Sequence, residues 1–81
     1  ATGRYLSLRM RVPDLPGSLA RVLATVAELG ANVIDVAHTR TTTQLALGFV
    51  DVALSLETRG AEHCGRVLDG LRALGYDPVQ A

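Results

Sequence analysis

The nine residues VLATVAELG at 22–30 return as VLDGLRALG at 67–75, 45 positions later. The apolar residues ahead of them return as well: Leu6, Leu8, Met10 and Val12 map at an offset of 44 onto Val50, Val52, Leu54 and Leu56. In both places the apolar residues alternate with polar ones. Tyr5, Ser7, Arg9 and Arg11 share the opposite side of the first segment, and Asp51, Ala53, Ser55 and Glu57 that of the second. Period two marks a strand with one buried face. Leu19, Val22, Leu23, Val26 and Leu29 follow at helical spacing, as do Cys64, Val67, Leu68, Leu71 and Leu74. Gly30 and Gly75 close these helices as C-caps.

Asn32 to about Thr41 reads as the second strand and Leu47 to Thr58 as the third. The polar stretch Thr39 to Gln44 between them is a hairpin connection without the Asn-Gly signal. Tyr76 to Gln80 is a short last strand. Two similar strand–helix–strand halves are what a split βαβ sheet requires. The fold class is therefore α+β: a ferredoxin-like βαββαβ sandwich, a four-stranded antiparallel sheet with two helices on one face. The other face carries Ser7, Arg9, Arg11, Asp51 and Ser55 and is too polar for a second core.

At 81 residues the chain is one domain spanning 1–81. A domain of this size buries only about 60% of its unfolded surface, so support from a partner or from a longer polypeptide is expected. The first residue is Ala, and the chain reads as a piece of a larger protein. Eight basic and eight acidic residues give a net charge of zero, which argues against nucleic acid and anionic membranes as partners. No apolar run approaches the roughly 20 residues of a membrane span. One cysteine, Cys64, excludes an intrachain disulfide and fits a reducing, cytoplasmic compartment.

The stretch RVPDLPGSLARV joins the first strand to the first helix. Pro16 suits a first helical position, and Gly17 permits a close backbone approach. Ser18, Leu19 and Ala20 then present amide N–H groups at the positive end of the helix dipole, a ready site for a carboxylate or phosphate oxygen. Asp14 fits two arrangements: its carboxylate caps those amides, or it turns away and takes a ligand's ammonium. Proline, glycine and a nearby aspartate are also plain turn chemistry.

Other residues carry less. His63 and Cys64 are adjacent and point about 100° apart on a helix, so they do not chelate together. Without C-x-x-C or H-x-x-x-H there is no metal signature, and Cys64 reads as a small core residue. His38 reads as an exposed strand residue. Arg9 and Arg11 are placed to pair across strands with Asp51 or Glu57. An RNA-recognition domain has the same strand order, but Leu47 stands where its motif needs a basic residue, and of the aromatic positions only Phe49 fits. A copper-chaperone-like corner needs two cysteines, and an acylphosphatase-like corner needs an arginine; neither is present. No nucleophile–base set or carboxylate pair converges, so the chain is not read as an enzyme.

The segment VPDLPGSLARVLATVAELGANVIDV resembles the opening half of an ACT domain, and LSLETRG and VLDGLRALGYDPV fit its second half. His38-Thr39-Arg40, Leu56 to Gly60 and Leu74-Gly75-Tyr76 resemble, more narrowly, the C-terminal ACT domain of catabolic-type threonine dehydratases. The resemblance implies an amino-acid effector bound where two such domains meet, hence a homodimer or higher homo-oligomer. It implies that Gly17, Ser18 and Leu19 contact the effector's carboxylate through the backbone, that Asn32 of the other copy adds an amide, and that Asp14 or Asp35 meets the ammonium. It further implies an isoleucine- or valine-like effector and an attached catalytic domain that carries pyridoxal phosphate. This chain has no lysine to hold that cofactor. Leu15 departs from the polar residue found in many relatives. The competing reading is a dimerisation module of the same fold without a ligand.

Overall fold

The computed structural model describes residues 4–39 and 48–80. Its elements are β1 (Tyr5–Pro13), α1 (Ser18–Glu28), β2 (Asn32–Thr39), β3 (Phe49–Glu57), α2 (Ala61–Ala73) and β4 (Val79–Gln80). The strands form one antiparallel sheet in the order β2-β3-β1-β4. This is the ferredoxin-like arrangement that the doubled strand–helix pattern predicts.

The central ladder pairs β1 with β3 without interruption, from Tyr5 opposite Glu57 to Pro13 opposite Phe49. Leu6, Leu8, Met10 and Val12 face Leu56, Leu54, Val52 and Val50, and all eight are buried. Val22 and Val26 of α1 and Val67, Leu68 and Leu71 of α2 close the core over them. Gly70 of α2 lies against Leu29 at the end of α1, where a Cβ would stand 2.6 Å from a Leu29 methyl.

The differences from expectation lie at element ends. β2 stops at Thr39 within the described residues, and the expected hairpin at 40–44 and strand start at Leu47 lie outside them. β3 ends at Glu57, because Thr58 already turns toward α2. β4 is only Val79–Gln80. Proline at 78 lacks the N–H that would extend its ladder. Leu74 is exposed, because α2 ends at Ala73 and Gly75 turns the chain away at φ +96°.

Leu54→Ala deletes a fully buried side chain in the central strand and should cost about 2–5 kcal/mol. Leu74→Ala, at the exposed end of the same apolar pattern, should cost less than about 0.5 kcal/mol. Urea denaturation of both variants checks the two values against each other.

Candidate functional site

The β1–α1 corner is built on a tight turn. Ser18 N–H donates to the Leu15 carbonyl at 3.1 Å, and Gly17 sits at φ +85°, ψ −8°. Those are the type II turn values, with Pro16 and Gly17 at its two central positions. Pro16 is therefore not the first helical residue; its fixed φ is used one step earlier, in the turn. The helix opens at Ser18 with Gly17 as N-cap, and the first intrahelical bond runs from Arg21 N–H to the Gly17 carbonyl at 3.0 Å.

Two corrections follow. Ser18 does not present a free amide, because that N–H closes the turn. The first-turn donors without an intrahelical acceptor are Leu19 and Ala20. Gly17 is also not required for space inside this chain: a Cβ there would meet nothing within 4 Å. It is required for the left-handed conformation, which only glycine adopts without cost. Gly17 has no side chain to cap the helix, and the first turn of α1 holds no acidic residue. Asp14 is half-buried, and its N–H donates to the Gly48 carbonyl at 2.7 Å, which pins the corner to the start of β3.

Asn32 and Asp35 are exposed on β2. Asn32 lies opposite Glu57, which itself pairs with Tyr5; the corner follows Pro13 at the other end of β1. Eight strand steps of about 3.4 Å separate the two ends, roughly 27 Å. One chain therefore gathers Asp14, Gly17, Ser18 and Leu19 at one end of the sheet and holds Asn32 at the far end. Asp35 pairs with Ser55 just after a register shift between Val33 and Asp35, and the residue in that irregularity, Ile34, is 52% exposed. At the corner, Leu15 is 66% exposed.

The corresponding β3–α2 corner is closed. Thr58 N–H and Oγ1 both donate to the Arg4 carbonyl, at 2.6 and 2.9 Å. Gly60 N–H donates to Thr58 Oγ1 at 3.3 Å, and Cys64 Sγ lies 3.2 Å from the same oxygen. His63 is buried; its Nδ1 accepts the Arg59 N–H at 3.0 Å. That assigns the ring proton to Nε2, which donates to the Leu29 carbonyl at 2.6 Å. His63 thus ties the start of α2 to the end of α1, three residues before Asn32. Periodicity does not reveal this role. The 45-residue repeat does point to it, since His63 stands where Ser18 stands in the first half.

Arg9 and Arg11 lie on the helix-free face of the sheet. Neither pairs as expected: among the described residues Glu57 bridges to Arg4 at 2.8 Å, and Arg11 is opposite Asp51 in register without an ion pair. The described residues contain no group of three or more His, Cys, Asp or Glu that could hold a metal ion, and no helix long and apolar enough to cross a membrane.

A four-stranded antiparallel sheet with one helical layer and a glycine N-cap at the first strand–helix corner places the chain in the class of ferredoxin-like α+β domains. The ACT domain family model matches residues 6–63, and the chain belongs to that family. It is 43% identical over 76 residues to L-threonine ammonia-lyase of Geobacter sulfurreducens and 40% identical to that of Thermotoga maritima. Each alignment covers 94% of this chain and 19% of the relative, so the chain spans about a fifth of their length. The fold is also that of the ACT domain from GTP pyrophosphokinase of Chlorobium tepidum, with TM-score 0.73, 12% identity, and coverage of 99% of this chain and all of that one.

Replacing His63 with Leu removes the hydrogen-bond partner of both the Leu29 carbonyl and the Arg59 N–H. The expected loss is about 2–4 kcal/mol. Amide shift changes should spread to Gly30, Ala31 and Asn32, across the helix–helix contact, and two-dimensional NMR of the variant reads them directly.

Proposed function

We propose that this chain is a regulatory domain that binds a small aliphatic amino acid between two copies of itself. We assign it to the regulatory portion of a cytoplasmic threonine ammonia-lyase. The observation that carries the reading is the open start of α1, beside its closed counterpart at α2. The amides of Leu19 and Ala20 meet the carboxylate with the helix dipole behind them, and Gly17 lets the ligand approach the backbone. Ser18 and Asp14 flank them, with Asp14 or Asp35 receiving the ammonium.

The second half of the pocket comes from another copy. β2 is a terminal strand of the sheet, and an eight-residue edge invites pairing. Antiparallel pairing of β2 with the partner's β2 carries the partner's Asn32 from the far end to the corner end. Leu15 and the partner's Ile34, both apolar and exposed, then favour an aliphatic side chain such as that of isoleucine or valine. Binding that differs between two arrangements of the paired domains shifts their equilibrium, and the attached catalytic portion responds through linkage. Pyridoxal phosphate belongs to that portion; this chain, which has no lysine, contributes nothing to holding it.

A thermal-shift screen of the twenty amino acids tests the reading. A ligand at 100 times its Kd should stabilise the fold by about 2.7 kcal/mol. Asn32→Ala, at an exposed position, should leave the unliganded Tm in place and weaken the aliphatic ligand roughly tenfold, the loss of one charge-assisted hydrogen bond. No shift with any amino acid favours a dimerisation module without a ligand.

A further inference from the structure

The helix-free face of the sheet points to a second contact, distinct from the β2 edge. We infer that two copies pack these faces together about a twofold axis parallel to the strands, with Arg11 of each copy against the partner's Asp51. The face is ordered in cross-strand rows. Tyr5 stands beside Glu57, Ser7 beside Ser55, Arg9 beside Ala53, Arg11 beside Asp51, and Pro13 beside Phe49. Val79 adjoins Arg9 on the β4 side, and Ala37 adjoins Ala53 on the β2 side. Tyr5, Phe49 and Val79 are among the exposed large apolar residues, and a cavity of about 670 Å³ opens between Arg9, Arg11, Phe49, Asp51, Tyr76 and Val79.

The charge pattern selects the occupant. The sheet centre lies between β3 and β1, so a twofold axis along the strands exchanges those strands and preserves the rows. Arg11 then faces the partner's Asp51, and Asp51 faces the partner's Arg11. Tyr5 faces the partner's Glu57, with its hydroxyl able to donate to the carboxylate. Ser7 faces the partner's Ser55, Arg9 the partner's Ala53, and Val79 the partner's Ala37. Every charged residue of β1 and β3 meets a complementary or a small neutral one. An axis across the strands instead sets Arg9 over the partner's Arg9.

Aligned sheets cross at about 30°. At the Arg11 row, two residues from the centre, that rotation displaces partners by roughly 3–4 Å, within the reach of an arginine. Three strands about 27 Å long and the two-residue β4, about 4.8 Å apart, give roughly 400 Å² on each copy, the size of a weak, reversible interface.

The test is charge exchange in the 81-residue chain, read by sedimentation velocity with circular dichroism as a fold check. Arg11→Asp places like charges against the partner's Asp51 and should halve the assembled mass. Asp51→Arg should do the same against the partner's Arg11. An equimolar mixture of the two variants should recover the original mass, because each then supplies the opposite charge to the other. Loss of a structural role within one chain is not rescued by mixing.

If the β2 edge pairs as well, the masses run from tetramer to dimer and back to tetramer; if it does not, they run from dimer to monomer and back. The two contacts are thereby separated. Unchanged mass in Arg11→Asp overturns the inference and leaves the face to a small ligand or to another part of a longer chain. Failure of the mixture to reassemble overturns it equally.

Discussion

The β1–β3 ladder sets every distance that matters in this fold. Its nine paired positions are continuous, and the inward side chains of both strands are buried to within a few percent. A ladder of that kind neither slides nor shortens, since a one-residue slip would turn all four core residues of the slipped strand outward. The corner before α1 and the start of β2 are therefore fixed at opposite ends of a rigid plank. Any chemistry that needs both must recruit a second molecule. Oligomerisation in the proposed function is thus a consequence of topology rather than an addition to it.

The two halves of the chain share a pattern but not a use. At the first corner, a type II turn holds Gly17 in the left-handed region, consumes the Ser18 amide and leaves Leu19 and Ala20 at an uncapped helix start. At the second, Thr58 and Cys64 bond to each other, and buried His63 bonds to the backbone of Arg59 and Leu29. Polar side chains at the second corner are spent on holding the helices together; at the first, the Leu19 and Ala20 amides have no acceptor within the helix. The divergence rests on few positions, of which Ser18 against His63 is the clearest.

The order of elements, the four antiparallel strands and the inward residues of β1, β3 and α2 are legible in the sequence, because alternation and helical spacing survive intact there. The corner is legible as a motif but not in detail. Pro16 suits both a helix start and a type II turn, and only the Gly17 conformation decides between them. The bonds of His63 are not legible for a physical reason: its two ring nitrogens find backbone partners 4 and 34 residues away, which helical spacing does not encode. The pairing of Glu57 with Arg4 rather than with Arg9 or Arg11 depends on the path of the chain ahead of β1, which periodicity does not encode.

The central claim is that one pocket draws on two chains. Isotope-filtered NMR on a mixture of labelled and unlabelled chains measures this directly, by recording intermolecular NOEs in the presence of a bound aliphatic amino acid. The account expects cross-peaks joining the ligand to Leu19 of one copy and to Asn32 of the other within the same complex. A ligand whose contacts all fall within a single chain would contradict it.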